Sequence, residues 1–193
     1  KKYFEISNYF KKKSRYKKFN SEEFNEILIK SVKSRLVSDV DVGIFLSGGL
    51  DSSIIASVAK NLGANIKSYT LGFNEASYDE SKKAKFVSDS LEIKNEKFII
   101  DENDLNDIDK IVLSFGEPVA DTSIIPTYFL SKFASKKTKV CLGGDGGDEL
   151  FGGYSTYSRF LQLSRLKFLP LSIRKSISNF SSQILPSGYK GRN

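Results

Sequence analysis

Histidine, methionine and tryptophan are absent from this 193-residue sequence, and cysteine occurs once. Without histidine the chain lacks the commonest general base and the commonest transition-metal ligand. Any general base is therefore expected to be a carboxylate whose surroundings raise its pKa. The single Cys141 can form neither an internal disulfide nor a thiolate zinc site. It lies in the apolar stretch 138–142, which reads as a buried strand, so an inert thiol is expected and sulfur transfer is disfavoured. No apolar run approaches the length of a membrane span, and no signal-peptide pattern occurs. These absences suit a reducing, cytoplasmic setting with no membrane partner. The missing initiator methionine is taken as the mark of a piece of a longer protein.

What is present describes a globular chain. Hydrophobic residues make up 39% and charged residues 27%, enough for one domain with or without an appendage. The net charge is +7. Much of the excess lies in Lys1, Lys2, Lys11, Lys12, Lys13, Arg15, Lys17 and Lys18, with Tyr3, Phe4, Tyr9, Phe10 and Tyr16 interleaved. A basic aromatic arm can bind RNA. It can equally be a linker whose aromatics dock while its lysines stay solvated, and that reading is preferred for residues 1–19. A nucleic-acid partner is accordingly disfavoured.

Past the arm, Asn20 followed by Glu23 looks like a capping-box start, and Phe24, Ile27, Leu28, Val32 and Leu36 predict an amphipathic helix ending near Val37. Residues 42–46 read as a buried strand. Ile54, Ile55, Val58, Ala59 and Leu62 then predict a helix stopped by Gly63. Residues 66–73 and 96–100 read as strands and residues 79–91 as a charged helix. Two more helices are marked by Leu105, Ile108, Ile111, Val112 and Phe115, then by Ile125, Tyr128, Phe129 and Phe133. The last strand spans 140–142, and a less regular helical pattern follows Tyr154. Strands alternating with helices predict an α/β fold, a parallel sheet with helices on both faces. Ligands of such sheets bind at the carboxyl ends of the strands.

Three segments fall at those ends. Ser47-Gly48-Gly49-Leu50-Asp51-Ser52-Ser53 joins the first strand to a helix. Glycines there expose backbone N–H groups at the positive end of a helix, an arrangement that cradles phosphate. Asp51 can cap that helix or hold a cation carried in by a polyphosphate. Neither a Walker A nor a G-x-G-x-x-G pattern is present. The second segment, Leu142 to Tyr154, packs glycines with Asp145, Asp148 and Glu149. Carboxylates so close need a cation or a shared proton. The third, residues 116–128, reads G-E-P-V-A-D-T-S-I-I-P-T-Y.

The first segment matches the S-G-G-x-D-S signature of the PP-loop ATP pyrophosphatases, which cleave ATP to AMP and pyrophosphate. All three motifs in this order resemble the synthetase domain of glutamine-hydrolysing asparagine synthetase, over residues 20–160; Tyr78-Asp79-Glu80-Ser81 matches that family too. The resemblance implies a PP-loop (adenine nucleotide α-hydrolase-like) fold, with an ATP-binding core over 20–165 and a partial helical extension over 166–193. It implies ATP and Mg2+ as cofactors and adenylation of the aspartate side chain, followed by displacement of AMP by ammonia.

Carried over by position, Ser47, Gly48, Gly49, Ser52 and Ser53 would hold the pyrophosphate portion. Leu46, Leu71 and Gly72 would line the adenosine pocket, closed by Gly143 and Gly144. Asp51 and Asp148 would bind magnesium. Asp145 would serve as the base against the aspartyl-adenylate, with Glu117, Thr122 and Ser123 shaping the substrate side. Implied partners are ATP, aspartate, ammonia or glutamine, and an N-terminal glutaminase domain in cis that this sequence does not contain. The family's catalytic lysine beyond the last motif is likewise expected to be missing, so the chain alone is expected to be inactive. Gly143 stands where the family usually has Ser, and a frequent His is replaced within residues 91–95. A related amide-forming ligase of the β-lactam synthetase kind, and less favourably a tRNA-modifying PP-loop protein, stay open, as does a homodimer of the full-length protein.

Overall fold

The computed structural model describes residues 19–101, 106, 108–117, 120–121, 123–168, 170 and 173. The basic arm, Thr122, and nearly all of the extension expected over 166–193 lie outside the described residues. Helix α1 (Ser21–Arg35) starts where the Asn20 side chain accepts from the N–H groups of Glu22 and Glu23, at 3.0 and 3.2 Å. This satisfies two of the orphan donors at a helix start. The helix stops two residues before Val37, with Leu36 as its cap.

Next come β1 (Val42–Phe45), α2 (Leu50–Asn61), β2 (Lys67–Phe73), α3 (Ser81–Ser90) and β3 (Lys94–Ile100), followed by α4 (Ile108–Phe115), α5 (Ile124–Ala134) and β4 (Val140–Leu142). Strand β3 begins two residues earlier than its apolar pattern suggests. Lys94 pairs with Lys67, and the Asn95 side-chain Oδ1 accepts from the hydroxyls of Ser68 and Thr70, both at 2.9 Å. Helix α3 begins two residues later than expected, because Asp79 stands before its N-cap Glu80 and accepts from the Ser81 N–H, as described below.

All pairings are parallel and the strand order is β3-β2-β1-β4. On one face Val32, Ala56, Ala59 and Ala84 pack on Ile44 and Leu46. On the other, Ile111 and Phe129 pack with Leu71, Phe73, Phe98 and Ile100. Helices α1, α2 and α3 thus cover one side and α4 and α5 the other, as the alternating pattern predicts. Burying each large aliphatic side chain of these layers contributes about 1.5–3 kcal/mol. The three alanines are fully buried and let the helices lie close to the sheet.

The chain leaves β1 toward β2 and returns from the far edge to β4, so the order reverses between β1 and β4. This is the switch point where doubly wound sheets bind ligands. Helix α5 ends beside the start of β1, since the Thr138 hydroxyl donates to the Asp41 carbonyl at 2.6 Å. Its first residues, Ile124 and Ile125, pack with Phe73 and Ile100 at the carboxyl ends of β2 and β3. Among the described residues no helix is long and apolar enough to cross a membrane.

The described residues form two compact units, one through Gly143 and the other from Gly144. The second holds α6 (Gly147–Phe151), α7 (Ser155–Ser164) and the 3-10 turn Arg165–Phe168. The division falls within the core anticipated over 20–165, so that Asp145 and Asp148 belong to the second unit.

Helices α2 and α3 end alike but with different residues. Gly63 takes the left-handed conformation after α2, with φ +77°. After α3 that role falls to Glu92, with φ 52°, while the Ile93 N–H reaches back to the Ser88 carbonyl at 2.9 Å. A left-handed non-glycine residue carries strain. Glu92→Gly is expected to raise the urea midpoint, a gain of about 1 kcal/mol. Lys60 bonds the Glu92 carbonyl, which the substitution retains. Gly43→Ala should do the reverse, since a Cβ there would stand 2.6 Å from Tyr69 Cε2 and 2.9 Å from Cys141 Sγ. A loss of about 1–3 kcal/mol is expected from such overpacking, read in the same denaturation experiment.

Candidate functional site

The loop 46–53 follows β1 at its carboxyl end. Leu46 is buried, and its N–H bonds the Tyr69 carbonyl at 2.9 Å, prolonging the strand by one residue. Gly48 turns the chain with φ +78°. A Cβ at that position would lie 2.5 Å from the Ala84 nitrogen and 2.6 Å from the Lys83 carbonyl carbon, so the loop rests directly on the first turns of α3. Gly49 is the N-cap of α2 and offers no side-chain bond to the helix. The first N–H groups of α2 are therefore left to a ligand or water.

Serine hydroxyls brace the loop. Ser47 Oγ accepts from the Gly49 N–H at 3.1 Å and lies 3.1 Å from Ser52 Oγ. Ser53 Oγ donates to the Gly49 carbonyl at 2.6 Å. Asp51 is half-buried within the first turn of α2, so it is not the cap of that helix. Of the two roles the sequence offers Asp51, capping is thereby excluded.

Leu71 and Gly72 end β2 on the same side of the sheet as this loop, and Gly143 follows β4 there. Ser123 stands at the start of α5, at that same end, with its N–H bonded to Asp121 Oδ1 at 2.9 Å. The Ser123 N–H, then its hydroxyl, hold the Asp121 carboxyl below its ordinary value. Glu117 is exposed just beyond α4. In the second unit, Asp145 and Asp148 flank Gly146, whose φ of +86° makes the turn into α6. The missing side chain of Gly153 leaves room for the Asp148 carboxylate. Glu149 is already engaged, accepting from the Tyr154 hydroxyl at 2.6 Å, a bond that pushes the phenol up to about 12. Among the described residues no group of three or more acidic, cysteine or histidine side chains gathers as a metal cluster. Cys141 is half-buried and burial pushes its thiol up to about 11, which keeps it protonated and inert as expected.

One cluster was only partly visible in the sequence, which singled out Asp79 and Ser81 through the family resemblance but not Lys97. Asp79 Oδ1 accepts from the N–H groups of Ser81 at 3.1 Å and Phe73 at 3.4 Å. Its Oδ2 accepts from the Ser81 hydroxyl at 2.9 Å, and Lys97 Nζ lies 3.5 Å away and donates to Ser81 Oγ at 2.6 Å. The Ser81 hydroxyl, above all, holds the Asp79 carboxyl below its ordinary value, aided by the Ser81 N–H, the Lys97 ammonium and the Phe73 N–H. An Asp-x-Ser immediately before a helix is the signal that could have revealed it.

A parallel sheet with an uncapped, glycine-rich loop at its switch point defines a doubly wound α/β protein. Within that class, residues 23–188 match the asparagine synthase family, and the chain belongs to it. It is 39% identical over 172 residues to asparagine synthetase (glutamine-hydrolyzing) 1 of Bacillus subtilis, covering 89% of this chain and 27% of that protein. It is 39% identical over 156 residues to the putative asparagine synthetase (glutamine-hydrolyzing) 2 of Methanocaldococcus jannaschii, covering 79% and 30%. The chain thus spans less than a third of the length of these relatives. Among solved structures, the glutamine-dependent NAD+ synthetase of Acinetobacter baumannii in complex with ADP shares the fold, with a TM-score of 0.50 and 16% identity over 73% of this chain and 29% of that one.

Two outcomes follow from this geometry. Gly48→Ala combines a left-handed backbone with a clash against α3, and is expected to cost about 2 kcal/mol or more in urea denaturation. For Asp79 the folded value is the lower one. Its contribution is complete above the unfolded value near about 3.9 and is lost as pH falls through the folded value. Asp79→Asn should therefore lower the urea midpoint at pH 6, with a gap that narrows on acidification toward about pH 3.

Proposed function

We propose that this chain is the nucleotide-binding part of an ATP-dependent amide-forming enzyme that converts aspartate to asparagine. The observation that carries the reading is the loop 47–53, whose uncapped helix start faces the carboxyl end of β1. Family membership supports the choice of reaction. An oxygen of the aspartate β-carboxylate attacks the α-phosphorus of ATP and pyrophosphate leaves. Ammonia then attacks the acyl carbon, AMP departs with the bridging oxygen, and a proton is released.

The backbone N–H groups at the start of α2 would take the pyrophosphate oxygens, since the serine hydroxyls are occupied in bracing the loop. Leu46, Leu71, Gly72 and Gly143 would receive the adenosine. Asp145 would accept the proton from the attacking ammonia, and Glu117, Thr122 and Ser123 would orient the amino acid. Asp51 in the first unit and Asp148 in the second are each proposed as magnesium ligands. A carboxylate in the first turn beside free N–H donors suits a cation that arrives with phosphate. When bound, the ion neutralises polyphosphate charge. In the full-length protein, glutamine is proposed as the ammonia source through a glutaminase domain.

The test is release of AMP by the full-length protein supplied with ATP, magnesium, aspartate and either ammonia or glutamine, with asparagine as the product. AMP release that needs an acceptor other than aspartate would move the assignment to another amide-forming ligase. Asp51→Asn is expected to abolish ATP–pyrophosphate exchange while shifting the melting temperature little, because charge neutralisation worth several kcal/mol is lost from the transition state. Near-normal exchange in that variant would remove Asp51 from the metal site.

A further inference from the structure

Asp79, Ser81 and Lys97 sit at the carboxyl end of β2, outside every role assigned above. Asp79 joins two elements, since it accepts from the Phe73 N–H at the end of β2 and from Ser81 at the start of α3. Lys97 brings in the third, β3, by donating to Ser81 Oγ and pairing with Asp79. The lysine reaches this point across Gly72, where an ideal Cβ would clash with its Cε. Position 72 thus leaves a channel for one particular side chain. The Asp79 side chain is only 15% exposed, so the pair lies partly out of solvent and is screened less than a surface pair.

The held end of α3 is the end on which the phosphate loop rests. Lys83 and Ala84, one turn beyond Ser81, provide the backbone under Gly48. The Ala84 N–H closes the first helical bond onto Glu80, the residue between Asp79 and Ser81. A displacement of that turn moves the floor of the loop, and backbone donors must hold their distance to phosphate oxygens, roughly 2.9 Å, to within a few tenths of an ångström to be effective.

Building on the proposed nucleotide site, we infer that Lys97 is a positioning residue for pyrophosphate binding. It locks the start of α3 to Asp79 and Ser81 and thereby sets the height of Gly48 and of the N–H groups that follow. Lys97 touches no phosphate in this scheme. It acts through α3, and its loss degrades recognition of the phosphate chain while sparing that of the nucleoside.

The experiment uses the full-length protein in magnesium buffer, with inorganic pyrophosphate titrated by calorimetry and adenosine measured by competition against ATP. Lys97→Met is expected to weaken pyrophosphate about tenfold, the loss of one charged hydrogen bond expressed through the loop, and to leave adenosine within about twofold. Lys97→Arg keeps the charge and the donors and should restore most of the pyrophosphate affinity. Pyrophosphate affinity unchanged in Lys97→Met overturns the inference. So do equal losses for both ligands, or failure of the arginine variant to restore binding. A wild-type protein that binds neither ATP nor pyrophosphate overturns the proposed function itself, and this inference with it.

Discussion

The loop 46–53 lies on helix α3 at a distance that only a glycine allows. With 2.5 Å between an imagined Cβ of residue 48 and the Ala84 nitrogen, any side chain would lift the loop from its support. Much else depends on that contact. The chain must turn through φ +78° to make it, and the turn delivers Gly49 as a cap without a side chain, so the start of α2 opens toward the strand ends. Ala84, fully buried under the loop, cannot be larger without pushing α3 off Ile44 and Leu46. Backbone geometry at one residue therefore links the hydrophobic layer of the sheet to the place where phosphate charge would be received.

The alternation of short apolar runs with helical periods made the sheet legible in the sequence, because a strand buried on both faces has little choice of residue. Strand β4 begins and ends where its three apolar residues predict. The ends of β3 and α3 were less legible for a common reason. Asn95 looks like a turn residue, yet its side chain serves the hydroxyls of Ser68 and Thr70 inside the sheet. Asp79 looks like a helical charge, yet it stands outside the helix and accepts from the Ser81 N–H. Polar side chains that bond backbone or neighbouring strands act through partners distant in sequence, and no periodicity reports them.

The site was legible where glycine and helix start coincide and less so where carboxylates are concerned. Spacing singles out Asp145, Asp148 and Glu149 alike, but Tyr154 engages Glu149 five residues away. Within the loop, the serine hydroxyls bond to one another and to the Gly49 backbone and stiffen the turn. In the proposed site, the division of labour would give the braces to side chains and the recognition to main chain. Main-chain donors lose little conformational freedom on binding, so a braced loop meets its ligand with most of the ordering already done.

The strand order has a consequence for how the chain comes together during synthesis. Strand β1 can pair with β2 soon after both exist, but its other edge waits for β4, whose approach is fastened by the Thr138 hydroxyl to Asp41 across 97 positions of sequence. Until that segment emerges, the central strand has one bare edge, and the crevice between β1 and β4 does not exist. Pairings this distant must overcome the entropy of a long closed loop and form late. The crevice proposed for the nucleotide is thus among the last features to assemble, and a ligand bound there could add stability only after the main part of the sheet had formed without it.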